Sequence, residues 1–235
     1  DDKTAFVRVF NHGFQGPGGW YIENSLTTIG QKDPLSEYNS VLWNSGIEAN
    51  KEIARKQKRR LTYFSNIYVV EDKANPQNEG KVFLFRFGKK IFDKISSMSN
   101  PEFEDETEVD VFNLWDGANF KLKIRKVDGF SNYDKSEFMT SAPLSEDESE
   151  MERVFGEQHD LEEFIDQKSF KTYDELKTRL DMVLSGVTKT GTVETLMENE
   201  PTAPAKVNTK PAPAPTVSTD DADDSMSYFE KLAEG

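Results

Sequence analysis

Short strand-like stretches, several of which alternate apolar and polar residues, constrain the fold of this chain most strongly. They cover residues 4–10, 20–22, 61–70, 81–87, 109–114 and 118–127. Because successive side chains of a strand point to opposite faces of a sheet, this pattern predicts half-buried strands. Turn residues separate the stretches at 16–19, at Asp116-Gly117 and at Asp128-Gly129. Residues 11–14 (Asn-His-Gly-Phe) are interpreted as a loop.

Apolar residues at helical spacing fill the intervals between these strands. Residues 35–57 predict two helical pieces that break at 44–46, and residues 89–98 predict a short helix. The pattern is helical again from residue 145. Two capping boxes and one terminating glycine are predicted here: Ser145 with Glu148, Thr172 with Glu175, and Gly186. The chain is therefore expected to be mainly β with helical insertions (α+β), with an OB-fold barrel core and C-terminal helices. Another small β-fold also fits the strands.

The charge of the chain is concentrated at one end. Residues 1–144 contain 20 lysines and arginines against 21 aspartates and glutamates, whereas residues 145–235 contain 9 against 22. Five prolines fall within residues 201–215. We predict a core over residues 1–186, a Pro-rich flexible linker over 187–219 and a disordered acidic tail over 220–235. This asymmetry favours a nucleic-acid surface joined to an acidic tail.

Several functional classes find little support in the composition. No apolar run reaches the roughly 18 residues of a membrane helix, and the chain has no cysteine for a disulfide or thiolate site. Only His12 and His159 supply imidazoles, and no phosphate-loop, serine-nucleophile or zinc-protease motif is present. We predict no enzyme activity. The acidic residues 102–108 leave a metal-dependent nuclease as an alternative, although such runs are usually solvated loops.

A basic run that leads into aromatic residues is the first candidate binding feature. Lys58, Arg59 and Arg60 precede Tyr63 and Phe64. Cations along a groove neutralise phosphates, and flat rings stack on unpaired bases at about 1–3 kcal/mol per base. The alternative is a solvated helix end followed by core aromatics, and the sequence supports the two readings about equally.

Two further basic and aromatic groups follow. The first is Phe85 and Arg86 on a predicted strand, with Lys89 and Lys90 at the start of a helix, where backbone amides favour phosphate. A strand face of three phenylalanines is more often core. The second group is Phe130 and Tyr133 after the Asp128-Gly129 turn. The alternating cations Lys121, Lys123, Arg125 and Lys126 are interpreted as an ordinary solvated strand face.

Six of these motifs, taken in their order along the chain, resemble the motifs of a known protein family. They are Asn11–Phe14 with 20–23, the run 58–66, residues 78–83, residues 86–91, and Gly129-Phe130-Ser131-Asn132-Tyr133-Asp134. Over about residues 5–186 the chain resembles the single-stranded-DNA-binding (helix-destabilising) protein of T-even-type bacteriophages. The resemblance implies an OB-fold cleft and a role in phage DNA replication, recombination and repair, in the cytoplasm of the infected host cell. By position, the cleft residues would be Arg59, Tyr63, Phe64, Phe85, Arg86, Phe130, Tyr133 and, in addition, Tyr21.

The chain departs from the family in two respects. Family members that bind structural zinc use one His and three Cys, whereas here His12 is accompanied by Ser25, Leu35 and Tyr38. These three side chains cannot form a thiolate shell, so we predict no zinc and no other cofactor. The family also has a basic N-terminal segment for self-association along DNA, and this sequence starts after it. Self-association is expected only when that segment is present.

The acidic end is predicted to bind protein partners. The candidate residues are Asp220, Asp221, Asp223, Asp224, Phe229 and Leu232. The resemblance implies a phage DNA polymerase, a helicase loader and recombination mediators as partners, with no membrane. An adaptor of the replication machinery without functional DNA contact is the main alternative. RNA stays open as a second ligand, because base stacking tolerates both nucleic acids.

Overall fold

A four-stranded antiparallel sheet lies at the centre of the computed structural model, which describes residues 4–186. The strands are β1 (Phe6–Gly16), β2 (Gly19–Asn24), β3 (Arg60–Tyr68) and β4 (Val82–Phe87). Their order is β2-β1-β3-β4, and the sheet is curled. Within the described range, β2 and β4 form its edges. The predicted linker (187–219) and acidic tail (220–235) lie outside this range.

In the described part of the chain, two short ribbons accompany the sheet. Strand β5 (Phe120–Lys121) pairs with β8 (Glu137–Phe138), and β6 (Arg125–Val127) pairs with β7 (Phe130–Asn132). Asp128 and Gly129 connect β6 to β7 with φ values of 50° and 85°. Two consecutive positive φ values are what a tight hairpin turn of this type requires. The predicted turn at this position is therefore confirmed.

Three sequence-based assignments of the strands are wrong. Residues 11–14 lie inside β1, where His12 pairs with Glu23, and residues 109–114 contain turns and no strand. Residues 118–127 divide into β5 and β6, which have different partners. As a result Leu122 and Ile124 are exposed instead of facing a core. Alternation of apolar and polar residues shows that a strand is possible, but a long strand also needs a neighbouring strand that pairs with it along its whole length.

Between residues 4 and 186, five α-helices accompany the sheet. They are α1 (Pro34–Asn44), α2 (Glu48–Gln57), α3 (Lys89–Ser99), α4 (Glu148–Gly156) and α5 (Tyr173–Ser185). Single turns of 3-10 helix occur at Leu26–Ile29, Pro76–Asn78, Glu162–Phe164 and Gln167–Ser169. The predicted α+β combination is confirmed, but helices hold more of the described residues than strands, so "mainly β" overstates the strands. No helix among residues 4–186 is long and apolar enough to cross a membrane.

The helix caps confirm one sequence signal and correct another. At α5 the Thr172 hydroxyl accepts from the Glu175 amide, and the Glu175 carboxylate accepts from the Thr172 amide at 2.8 Å. Gly186 ends this helix with a φ of 70°, as predicted. At α4 the capping residue is Asp147, whose carboxylate accepts from the Ser149 amide at 2.9 Å. The predicted Ser145 capping box is therefore wrong.

Among the described residues, two larger hydrophobic cores lie at opposite ends of the sheet, and a smaller cluster joins Ala54 to Leu42 and Trp43. The first core joins the β1–β2 hairpin to α1 and α5 and contains Phe14, Tyr21, Leu26, Leu35, Phe170, Leu176, Leu180 and Val183. The second core lies between the sheet and α3 and contains Tyr63, Phe87, Ile91 and Ile95. Middle residues of β1 and β3 therefore lie between two packed regions.

Candidate nucleic-acid interface

The alternation of β3 divides the predicted contacts between the two faces of the sheet. Cross-strand partners share a face, and Tyr63 lies opposite Arg8 and Phe87. Phe64 lies opposite Arg86. Because Tyr63 and Phe64 are consecutive, their side chains point to opposite faces. We call the face with Tyr63 the aromatic face and the face with Phe64 the covered face.

Closely packed rings form the aromatic face. The Tyr63 ring stacks on Phe92 at a centroid distance of 4.2 Å and on Phe87 at 5.4 Å. Phe85 lies 5.6 Å from Phe87, and Phe6 lies 5.4 Å from Phe92. Tyr63 is 4% exposed, whereas Phe85 is half-buried. Phe85 therefore has ring surface available to a base, and Tyr63 supports the rings around it.

Two arginines lie against rings on the same side of the sheet. The guanidinium of Arg8 is 5.6 Å from the Phe6 ring centroid and 5.5 Å from that of Phe92, and the residue is exposed. The guanidinium of Arg59 lies 4.1 Å from the centroid of Phe10. Contacts of this kind hold a cation against the face of an aromatic ring. The aromatic face thus brings together arginines, which can donate hydrogen bonds to phosphate, and aromatic rings, which can stack on bases.

The covered face holds the other predicted contacts. Phe64 stacks on Phe164 at 4.5 Å, and Asn66 exchanges hydrogen bonds with the backbone of His159. Residues after α4 therefore pack on this face, while Arg86 remains exposed at β4. Phe64 and Arg86 do not share a surface with Tyr63 and Phe85, so the predicted contacts do not form one groove.

Tyr21 is a core residue in this structure. Its side chain is 0% exposed within the first core, and its ring stacks on Phe14 at 5.5 Å. Burial, followed by the charges of Asp33 and Glu23, raises the pKa of its hydroxyl. An enclosed ring cannot stack on a base, so the assignment of Tyr21 to the DNA contacts is corrected.

The other predicted cations lie around the basic run and at α3. Lys58, Arg60 and Lys90 are half-exposed. Lys89 starts α3 and pairs with Asp93 at 2.9 Å, which is the i,i+4 spacing of an ordinary helix ion pair. This contact reduces its availability to phosphate, although a surface pair of this kind is weak.

The ribbons carry Phe130 and Tyr133, both half-exposed. Tyr133 packs against the second core, beside the aromatic face. Arg125 pairs with Asp134 at 2.5 Å, and this hydrogen bond lowers the pKa of the Asp134 carboxyl to about 2. Tyr133 therefore joins Phe85 as a candidate stacking ring, while Arg125 already has an acidic partner.

Sequence reasoning missed Arg8 and Phe10. The signal was present, because residues 6, 8 and 10 alternate and therefore share one strand face. The sequence predicted a strand here, but neither Arg8 nor Phe10 was assigned to the site. In the structure Phe10 is half-buried and Arg8 is exposed, so the middle of β1 is an accessible part of the aromatic face.

A zinc ion does not fit the residues around His12. Leu35 is buried in the first core, and the polar side chains near His12 are Ser25 and Asp33. The carboxylate of Asp33 already accepts four hydrogen bonds: from the Ser25 hydroxyl, and from the amides of Leu26, Leu35 and Ser36. These donors occupy the acceptor sites of both carboxylate oxygens. One imidazole, one saturated carboxylate and a serine hydroxyl do not make a structural zinc site.

The acidic residues 102–108 do not form a metal site in the structure. All seven are exposed. Among residues 4–186, no three His, Asp or Glu side chains are grouped so that they could hold a metal ion. The geometry of the described chain therefore adds no support to the nuclease alternative.

An antiparallel sheet that carries rings and arginines on one face is found in a class of protein, the binders of single-stranded nucleic acid. Within this class, the chain belongs to the family described as gp32 DNA binding protein like, whose model matches residues 1–184. It is 43% identical over 202 residues to the "Single-stranded DNA-binding protein" of Enterobacteria phage T2 and to that of Enterobacteria phage T4. Each match covers 83% of this chain and 66% of the relative.

A third relative matches a shorter segment. It is the "Single-stranded DNA-binding protein" of Enterobacteria phage RB70, 38% identical over 68 residues, which are 27% of this chain and 55% of that protein. The chain thus spans about two thirds of the length of the T2 and T4 relatives. The recognised resemblance to proteins of T-even-type phages is confirmed.

Proposed function

We propose that this chain binds single-stranded DNA, without strong sequence preference, through its aromatic face. The observation that carries the proposal is the position of Arg8 over the rings of Phe6 and Phe92, directly across from Tyr63. The names of the T2 and T4 relatives support the choice of ligand. The OB-type barrel and a non-enzymatic mode of action are part of this proposal.

Binding would combine charge with stacking. Arg8 and Arg59 neutralise phosphates, and the accessible edges of Phe10, Phe85 and Tyr133 receive unpaired bases. Every base has a π-face, so stacking gives affinity with little dependence on sequence. The buried Tyr63 acts indirectly, because its ring supports Phe87 and Phe92 beneath the surface.

The salt dependence of binding tests this arrangement. We expect the logarithm of the affinity for a labelled oligonucleotide to fall with the logarithm of salt concentration, with a slope of about 0.7 per phosphate contact. Arg8→Gln and Arg59→Gln should each reduce the slope by roughly 0.7 or less. Lys177→Gln, on the exposed side of α5, is the control.

Arg86→Gln distinguishes between the two faces. If the aromatic face binds DNA, this variant changes the slope less than Arg8→Gln does. A larger effect of Arg86→Gln would indicate that single-stranded DNA binds to the covered face. No saturable binding by the unmodified protein would exclude the proposed function and favour the adaptor alternative. The same assay with RNA tests the second ligand.

The finer functional proposal concerns the acidic end. We infer that the protein acts in phage DNA replication, recombination and repair inside the infected cell. Asp220, Asp221, Asp223 and Asp224 would compete with phosphates for the cations of the core, and Phe229 and Leu232 would contact partner proteins. Covalent attachment gives such a segment an effective concentration in the millimolar range. The −13 net charge of residues 145–235 supports this competition.

Removal of residues 216–235 tests the proposed tail. We expect the shortened protein to bind oligonucleotide faster or more tightly at low salt and to lose binding to a polymerase, helicase loader or recombination mediator. A full-length variant in which all four aspartates are replaced by asparagine shows whether the effect comes from the charge of the tail or from its length. Unchanged DNA binding would contradict the competition, and retained partner binding would contradict recruitment.

A further inference from the structure

Asp33 is a buried carboxylate at the centre of a polar network. Its side chain is 1% exposed, and its two oxygens cap the start of α1 and hold the turn at Leu26. Burial by itself would raise the pKa of this carboxyl. The neighbouring His12 ring, followed by the Ser36 amide and the Ser25 hydroxyl, lowers the pKa to about 2. Asp33 is therefore ionised at neutral pH.

One branch of the network leads to Arg59. Its Nη1 donates to Oγ1 of Thr27 at 2.7 Å, Thr27 Oγ1 lies 2.9 Å from Ser25 Oγ, and Ser25 donates to Oδ2 of Asp33 at 3.0 Å. A serine hydroxyl has one proton, and here that proton goes to the carboxylate. The Thr27 hydroxyl must then donate to Ser25 and accept from Arg59. All three hydrogen bonds therefore run in one direction, from the guanidinium to the carboxylate.

A second branch leads to the backbone before the basic run. Nε2 of His12 lies 3.5 Å from Oδ1 of Asp33, and Nδ1 of His12 lies 3.1 Å from the carbonyl oxygen of Gln57. Asn39 donates to the same carbonyl at 3.2 Å. His12, Asn39 and Asp33 are all buried. Because Gln57 is the last residue of α2, this branch fixes the point at which Lys58 leaves the helix.

We propose that the buried network centred on Asp33 takes the structural place of a metal ion and positions the Arg59 guanidinium for contact with phosphate. Both branches start at the same carboxylate, and they end at Arg59 within the basic run and at Gln57 directly before it. Together with Phe10, they hold Arg59 in one orientation before a ligand arrives, which reduces the entropy lost on binding. The positioning part rests on the proposed DNA-binding function, whereas the structural part does not.

Thr27→Val tests the first branch without altering Asp33. Valine keeps the shape of threonine but removes the hydroxyl between Arg59 and Ser25. We expect the affinity for a labelled oligonucleotide to fall about fivefold, as for the loss of one hydrogen bond, while Tm changes by about 3 °C at most. Ser36→Ala is the matched control, because the Ser36 Oγ is buried without a hydrogen-bond partner. An affinity within twofold of the unmodified protein would overturn the positioning role.

Asp33→Asn tests the centre of the network. An amide replaces one of the two accepting oxygens with an NH2 donor, so two of the four donors to Asp33 lose their acceptor, and we expect Tm to fall by roughly 6–15 °C. Leu180→Ala, in the first core, is a control with a comparable loss of Tm. At a temperature where both variants are folded, Asp33→Asn should bind DNA more weakly and exchange the amides of residues 58–60 faster. Equal behaviour of the two variants would overturn the proposal.

Metal analysis tests the structural part separately. The unmodified protein should contain no stoichiometric zinc, and a chelator should leave its Tm unchanged. One zinc per chain, or a lower Tm with chelator, would overturn the inference that the network takes the structural place of a metal ion. If the unmodified protein binds no single-stranded DNA, the proposed function fails, while Tm, exchange and zinc content still test the network.

Discussion

Tyr63→Ala is expected to destabilise the protein by about 3–5 kcal/mol, the cost of removing a large buried aromatic ring. The Tyr63 ring stacks on both Phe87 and Phe92 and is 4% exposed, so its removal leaves a cavity beneath the aromatic face. Urea denaturation followed by circular dichroism measures the loss. DNA affinity should fall as well, because the neighbouring rings lose their support.

Two companion variants separate support from direct stacking. Tyr63→Phe keeps the ring, so we expect it to cost less than about 1.5 kcal/mol and to leave the DNA affinity nearly unchanged. Phe85→Ala removes a half-exposed ring, and we expect it to weaken binding about fivefold or more, as for the loss of one stacked base. Normal stability of Tyr63→Ala would contradict the buried position of the ring. Normal DNA binding by Phe85→Ala would remove Phe85 from the interface.

Gly18→Ala is expected to separate the β1–β2 hairpin from α5. A Cβ atom at this position would lie 2.0 Å from the carbonyl oxygen of Met182 and 2.9 Å from the Cα of Val183. Both are backbone atoms of a helix, so they cannot move aside as a side chain would. The Gly18 amide also donates to the Val183 carbonyl at 2.8 Å. We expect a loss of about 3 kcal/mol, or a Tm lower by roughly 6–12 °C.

Gly13→Ala is the matched control for this variant. Gly13 lies in β1, and a Cβ there would meet no atom within 4 Å. Its Tm should therefore equal or slightly exceed that of the unmodified protein, because alanine restricts the unfolded chain more than glycine does. Similar Tm values for the two variants would show that the close approach of Gly18 to α5 is absent in solution.

Local sequence patterns predicted the elements that depend on neighbouring residues. The alternation of β3 and β4, the break between α1 and α2, and the Thr172 capping box were found because backbone geometry fixes the periods of strands and helices. Where alternation had no continuous partner, as at Leu122 and Ile124, the same pattern predicted a face that does not exist.

The candidate site shows the same division. The sequence predicted Arg59, Phe85 and Tyr133 as contacts, and the structure places all three on or beside the aromatic face. The sequence also contained the information that Tyr63 and Phe64 must point to opposite faces. It could not show that residues 159–164 pack on the covered face, about 100 positions further along the chain. From the sequence, His12 was interpreted only as the residue that matches the histidine of the family's zinc site. The connection from Asp33 to Arg59 was missed, because the two residues are distant in the sequence.

The sequence by itself determined the family, the strand and helix periods, and the concentration of acid beyond residue 144. These properties follow from residue types and short spacings. Only the tertiary structure decided which rings are exposed, which cations lie over them, and how Asp33 reaches the basic run. Burial and hydrogen bonding at these positions depend on segments that are distant in the chain and meet only when the two cores form.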